Sequence, residues 1–231
     1  YQVQGKTGLR ATTLRDARKL DLVPSVTTIL GVAAKPALNT WLQTQVLLSA
    51  LTLPREPNEP EKDWLERVMA DSKVQGKEAA KRGTAIHGVI ESYFEQIPSQ
   101  EWPPYVKNVE KALTDAFGAQ LWNSEKSFAH ELGYGGKCDM YNAEGDGIVI
   151  DIKTKDFSDL SKPMWYDEHM LQLAAYREGL RMPAARCANV FVSRTNPDLA
   201  VVHEWAEDDI KRGWKMFQHL LNYWQLKNNH E

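Results

Sequence analysis

Hydrophobic positions change their period along this chain. In the first half they recur at helical spacing. Pro24-Ser25-Val26-Thr27-Thr28-Ile29-Leu30 sets a turn residue and hydroxyl caps ahead of a short helix, and Ala37 to Leu51 reads as a longer one. Leu53 to Lys62, with its Glu–Pro steps, is a loop or disordered insertion. Lys62 to Lys81 predicts a helix that Arg82-Gly83-Thr84 punctuates. Thr84 then caps a further helix to about Gln96, with Ile86, Val89, Ile90, Tyr93 and Phe94 on its apolar side. Pro98 to Pro104 is a loop and Tyr105 to Gln120 a helix, whereas residues 1 to 23 are basic and irregular.

Beyond residue 120 the pattern shortens to that of strands. Lys126 to Leu132 and Tyr134 to Tyr141 are β-rich, and Ala143-Glu144-Gly145-Asp146-Gly147 is a turn that reverses the chain into Ile148-Val149-Ile150. A helix from about Met164 to Leu180 follows. A second β segment runs from Cys187 to Arg194, turns at Thr195-Asn196-Pro197-Asp198 and returns through Leu199 to Trp205. The last helix carries Ile210, Trp214, Phe217, Leu221 and Trp224 at helical spacing, with Asp208 and Asp209 at its electropositive start. Helices before and after a short mixed sheet predict an α/β domain spanning 1–231, mainly helical over 1–120 with the core in 121–231.

The chemistry gathers at one hairpin. Tyr134–Tyr141 and Gly147–Lys153 pair antiparallel, so Asp139 and Asp151 can face each other across it. Asp151 and Lys153 share a face of their strand, with Ile152 turned to the core. Two adjacent carboxylates call for a cation, and oxygen donors suit Mg²⁺ or Mn²⁺. Lys153 could then orient or deprotonate an attacking water, which suits hydrolysis of a phosphodiester. A surface hairpin with a plain Lys–Asp pair is the competing reading.

Other residues could join that centre. His87 and Glu91 lie one helical turn apart, either as a surface pair or with His87 as a further metal ligand; imidazole suits manganese, so activity with Mn²⁺ should at least equal that with Mg²⁺. Glu125 could complete the site or simply be a solvated residue at a strand start. Gln172 and Tyr176 stand at i,i+4, a spacing common on any amphipathic helix. Lys73, Lys77 and Lys81 form a basic stripe leading towards Arg82 and His87, where phosphate contacts would be useful; Lys155, Arg177 and Arg181 could extend it. Trp102 and Tyr105 could stack on unpaired bases, with packing the commoner use of such residues.

Composition narrows the classes. The hydrophobic fraction of 42% and eight Trp supply a core for 231 residues, while a net charge of −3 argues against general coating of duplex DNA. With only Cys138 and Cys187, a four-cysteine zinc or iron–sulfur site is excluded and a reducing compartment favoured. No apolar run approaches the ~20 residues of a membrane span. A chain opening on Tyr1 is expected to lack its natural N-terminus, and no signal peptide is visible.

Several short stretches occur together in a recognisable order: Pro24 to Leu30; Arg82-Gly83-Thr84-Ala85-Ile86-His87 with Glu91; Ser124-Glu125; Gly136-Lys137-Cys138-Asp139; Asp151-Ile152-Lys153; and Gln172-Leu173-Ala174-Ala175-Tyr176. In this the chain resembles the RecB-like exonucleases of the PD-(D/E)XK nuclease superfamily, which include the mitochondrial genome maintenance exonuclease and phage recombination exonucleases. The resemblance implies a restriction-endonuclease-like core with an N-terminal helical elaboration. It implies His87, Asp139, Asp151 and the Ile152 carbonyl as metal ligands, Lys153 as the catalytic lysine, Gln172 and Tyr176 as supports or DNA contacts, and Glu91 and Glu125 at the edge. Cys138 stands where the family has proline, and the cluster-binding cysteines of the helicase-linked and CRISPR-associated relatives are missing. The expectation is therefore a stand-alone DNA exonuclease using one or two Mg²⁺ or Mn²⁺ ions without an iron–sulfur cluster. It would act on single strands or DNA ends in replication, recombination or repair, with a recombination or replication protein as a partner. A bacterial or phage-infected cytoplasm is the expected setting, with mitochondria also open. The alternatives are a structure-specific endonuclease and a catalytically silent DNA- or protein-binding module.

Overall fold

The computed structural model describes residues 2–5, 8–11, 16, 19–20, 22–99, 101, 103–159 and 165–230. Trp102 and Met164 lie outside them. Strands β1 (Gln2–Gly5) and β2 (Gly8–Ala11) form an antiparallel hairpin where the sequence pattern predicts irregular chain. Helix α1 (Val26–Leu30) starts at Ser25, whose hydroxyl accepts from the Thr28 N–H at 3.1 Å. Next come α2 (Pro36–Thr52) and α3 (Glu61–Phe94), packed on each other. Trp64 Nε1 donates to the Leu53 carbonyl at 2.8 Å where the two helices meet at their connecting loop.

Helix α3 corrects the sequence reading. It runs unbroken for 34 residues through Arg82-Gly83-Thr84. Thr84 caps nothing: its hydroxyl donates back to the Ala80 carbonyl at 3.1 Å inside the helix. Gly83 serves packing instead, since a Cβ there would stand 2.7 Å from Thr154 Oγ1. Helix α4 (Pro104–Phe117) buries Val106, Val109, Leu113 and Phe117 and ends at Gly118, whose φ of 74° suits glycine.

The described sheet has five strands in the order β3-β4-β5-β6-β7. They are β3 (Asn123–His130), β4 (Tyr134–Asn142), β5 (Ile148–Lys155), β6 (Arg186–Ser193) and β7 (Ala200–Trp205). Every pairing is antiparallel except β5 with β6, whose connection carries α5 (Asp167–Gly179). A final helix, α6 (Glu207–Asn228), packs beside α5. Both central strands are buried on either face over most of their length and largely apolar there, with Asp151 and Asn189 the buried polar exceptions beside the site. One core joins α1, α5 and α6 through Ile29, Leu173 and Phe217 to Val149 and Cys187. The other sets Ile90 and Leu113 against Ile150, Ile152 and Val190. The chain is thus the α/β arrangement expected, a short mixed sheet flanked by helices behind a mainly helical N-terminal part. Among the described residues no helix is long and apolar enough to cross a membrane.

Candidate active site

Strands β4 and β5 part where the two aspartates stand. Their paired residues run from Asn142↔Ile148 to Met140↔Ile150 and stop, although β5 continues to Lys155. The next residues in register are Asp139 and Asp151. Instead of a ladder bond, Asp139 Oδ2 accepts the Ile152 N–H at 2.8 Å. On its other side Asp139 has also left the ladder: β3 pairs at Ser124↔Met140 and Lys126↔Cys138, skipping Glu125, whose φ is +48°. The register is the same on both sides of this gap, so no residue is inserted; Glu125 is a left-handed residue inside an otherwise regular strand, and such strain of about 1–3 kcal/mol collects at functional sites. Asp139 is thereby released from sheet pairing on both flanks.

Asp151 is 1% exposed, with its carboxylate bound from two directions. Lys153 Nζ lies 2.9 Å from Oδ1 and 2.8 Å from Oδ2, and Asn189 Nδ2 donates to Oδ2 at 2.7 Å. Asn189 Oδ1 in turn accepts from Trp205 Nε1 at 2.8 Å. Lys153 also donates to Gln172 Oε1 at 2.9 Å, and Gln172 Nε2 donates to the Tyr176 hydroxyl at 2.8 Å. One file of hydrogen bonds therefore runs from Tyr176 on α5 through Lys153 and Asp151 to Trp205 on β7. Gly136 lets the tyrosine in, because a Cβ there would stand 2.9 Å from Tyr176 Cε1. Burial first, then the Asp151 charge, pushes the Tyr176 hydroxyl well above its ordinary range, so it remains a neutral partner.

Helix α3 closes the site from the other side. His87 Nδ1 stands 3.9 Å from Asp139 Oδ2. Burial lowers the His87 pKa, with Asp151 opposing and Lys153 reinforcing the shift. The Asp139 carboxyl is raised to about 7, by burial and then by the Asp151 charge, against the Ile152 N–H that favours ionisation. Glu91, one turn after His87, is raised to about 7 by burial and by its hydrogen bond with Glu125. Glu125 is held below its ordinary range by Lys137, with which it pairs, and by Glu91, although burial works the other way.

The structure thus brings together His87, Glu91, Glu125, Asp139, Asp151, Lys153, Gln172 and Tyr176. Ile152 turns into the core as expected, 3% exposed. In kind the donors fit a hard divalent cation, since Asp139 and Asp151 crowd negative charge that Lys153 only partly offsets, pairing directly with Asp151 and acting on Asp139 from further off. Among the described residues, however, no group of three or more His, Cys, Asp or Glu side chains stands assembled to hold a metal ion.

Of the basic residues, Lys73, Lys77, Lys81 and Arg82 are exposed along α3. Lys155 Nζ lies over the Tyr166 ring, 4.2 Å from its centroid. Arg177 does not belong to such a surface. It is 3% exposed, its NH1 lies 2.7 Å from Glu207 Oε2, and it ties α5 to α6. Arg177 does not extend the basic stripe, because α5 is covered almost all round. Tyr105 packs against the core of Ile90 and Leu113. Asn189 and Trp205 are the functional neighbours that the sequence reading misses. Their one signal is a lone amide inside the apolar run Cys187 to Val192.

No protein family matches the chain, and no curated protein matches it. Among solved structures it is similar to SSO0001, at 17% identity and a TM-score of 0.30 over 80% of this chain and 86% of that one. It is also similar to LHK-Exo, an alkaline exonuclease from Laribacter hongkongensis, at 12% identity and a TM-score of 0.35 over 83% and 98%. Likenesses at this level leave the function to be read from the geometry of the chain itself.

Proposed function

We propose that this chain is a metal-dependent deoxyribonuclease, an exonuclease that hydrolyses phosphodiesters of single-stranded DNA or DNA ends in replication, recombination or repair. One observation carries the reading: Asp139, Asp151 and Lys153 meet where β4 leaves β5, with His87 brought in from α3. His87, Asp139 and Asp151 would hold the Mg²⁺ or Mn²⁺, with the Ile152 carbonyl beside them and Glu125 at the edge. Bound there, the ion supplies Lewis acidity to the phosphate and to the attacking water.

The rest of the chemistry belongs to the chain. Asp151 and Gln172 fix the Lys153 ammonium from two sides. That leaves one of its N–H donors to orient a water or to meet a phosphate oxygen as charge develops. Asn189 keeps the Asp151 carboxylate in place from behind. Lys73, Lys77, Lys81 and Arg82 line α3 on the approach to His87, and Lys155 follows Lys153 along β5, so both could contact neighbouring phosphates.

A second reading has its own support. The Lys153 ammonium already answers Asp151, and among the described residues no three-donor group stands assembled, which is what a catalytically silent DNA- or protein-binding module would also show. Linear and circular DNA, single- and double-stranded, incubated with Mn²⁺, Mg²⁺ or EDTA separates the two. We expect loss of linear DNA in either metal and none in EDTA, with Asp151→Asn and Lys153→Ala each slower by about 100-fold or more. Mn²⁺ should also raise the melting temperature of the wild type and not that of Asp151→Asn. If no substrate is cut with metal, the enzyme reading falls and the binding module stands; nicked circles would make it an endonuclease.

A further inference from the structure

The row of residues that contains Asp151 continues across the sheet to a pair of stacked aromatic rings. Asp151 pairs with Asn189 on β6, and Asn189 pairs with His203 on β7. Paired residues point to the same face, and neighbouring strands lie about 4.8 Å apart, which sets His203 about 10 Å from Asp151 on the side where Lys153 lies. Trp165, just ahead of α5, stacks on His203 with ring centroids 3.9 Å apart and planes within 9°. Trp205 closes the other flank, edge-on to His203 at 4.6 Å. The pair is therefore flanked by Trp205, whose indole N–H holds the Asn189 that supports Asp151.

Trp165 is not a core residue. It keeps 42% of its surface exposed, while stacking on His203 already covers one ring face. An indole backed on one face and still exposed over much of its surface has the form of a stacking platform, and every nucleobase offers it a π-face. The ground between platform and site is cationic and aromatic. Lys155 lies two residues beyond Lys153 on the same strand face, with its ammonium over the Tyr166 ring, and Tyr166 adjoins Trp165. A phosphate over Lys155 and a base on Trp165 would be the successive contacts of one strand leaving Asp151. A paired base inside a duplex is sheathed on both faces by its neighbours and cannot present a face to a side chain in this way.

We propose that Trp165, backed by His203, stacks an unpaired nucleobase within a few nucleotides of the bond to be cut, so that the strand crossing this part of the site is single-stranded. The inference rests on the nuclease reading for the word "cut" and on the ring geometry for the rest.

Binding can be tested apart from cleavage. With the full chain in EDTA, fluorescence anisotropy measures affinity for labelled oligo(dT) and for a covalently closed circular duplex, which has no exposed terminal base pair. Trp165→Ala should weaken binding of oligo(dT) by about 5- to 100-fold, leave the duplex unchanged, and be largely rescued in Trp165→Phe. On the wild type itself, a single strand of abasic sites should bind about 5- to 100-fold more weakly than oligo(dT), a comparison that needs no variant. Undiminished oligo(dT) binding by a folded Trp165→Ala, equal losses on single strand and duplex, no binding of oligo(dT) by the wild type, or an abasic strand held as tightly as oligo(dT) would each overturn the proposal. Cleavage by the wild type without Trp165-dependent binding would remove the platform and keep the nuclease. Trp165-dependent binding without metal-dependent cleavage would do the reverse.

Discussion

Asn189 does its work from inside the sheet. It is wholly buried, and its amide spends one end on Asp151 and the other on Trp205. Alanine there would leave a buried carboxylate oxygen and an indole N–H without these partners, at a cost of about 1–3 kcal/mol. We expect Asn189→Ala to lower thermal stability by that amount and to slow cleavage about 10-fold, with the half-saturating Mn²⁺ concentration rising as the carboxylate loses its anchor. A loss of stability with unchanged Mn²⁺ dependence would reduce Asn189 to a packing residue. Asp139, Asp151 and Lys153 are legible in the sequence because ionisable groups in a β-rich run are conspicuous, and the turn at 143–147 sets their register. Asn189 is not, because its partners lie 38 residues upstream and 16 downstream, and nothing local marks an amide that bridges strands. Arg177 fails for the opposite reason. A cation on a helix reads as solvated, yet its neighbours on α6 enclose it and Glu207 neutralises it.

At the scale of elements, α3 shows how tertiary contact overrules a local signal. Arg82-Gly83-Thr84 carries every mark of a helix boundary, and glycine in a helix interior costs about 1 kcal/mol relative to alanine. The helix passes through regardless because Gly83 lets it lie close against Thr154 of β5. That approach places His87, one turn later, beside Asp139. Gly83→Ala should therefore forfeit its gain in helix propensity: the new methyl must displace the Thr154 hydroxyl or lift α3 from the sheet. A net loss of about 1–2 kcal/mol and reduced cleavage are expected. The double variant Gly83→Ala, Thr154→Ala should recover both, and additive effects in that cycle would show that the two residues do not meet. The strands fared better from sequence than the long helix, because alternation and turns are local, whereas the reason for Gly83 sits on another element.

Across the whole molecule, the site is a meeting of both helical layers over one sheet, and His169 records the electrostatic consequence. It is 3% exposed at the start of α5, and its Nδ1 accepts the Tyr166 N–H at 3.2 Å. Burial, followed by Lys155, Lys153, Lys35 and His203, drives its pKa down to about 2. These groups converge from β5, from the residue before α2 and from β7, so only the assembled fold imposes the shift. The unfolded chain binds a proton at this histidine below about pH 6.5, and the folded chain does not until about pH 2. Unfolding in that window takes up a proton, so acid favours it. His169 should remove stability at about 1.4 kcal/mol per pH unit as pH falls below 6.5, and have no such effect above it. Protonation would also strip the Tyr166 N–H of its acceptor and set a cation at the electropositive end of α5. Glutamine keeps an acceptor oxygen and cannot take the proton, so urea unfolding of the wild type and His169→Gln should run in parallel from pH 7 to 8. Below pH 6.5 the wild type should lose ground steadily. The contribution of Asp139, whose raised pKa works with the opposite sign, is common to both proteins and cancels from the difference. Profiles that stay parallel down to pH 5 would mean that His169 is solvated in the folded chain, and that α5 does not seat against β5 and β6 as described.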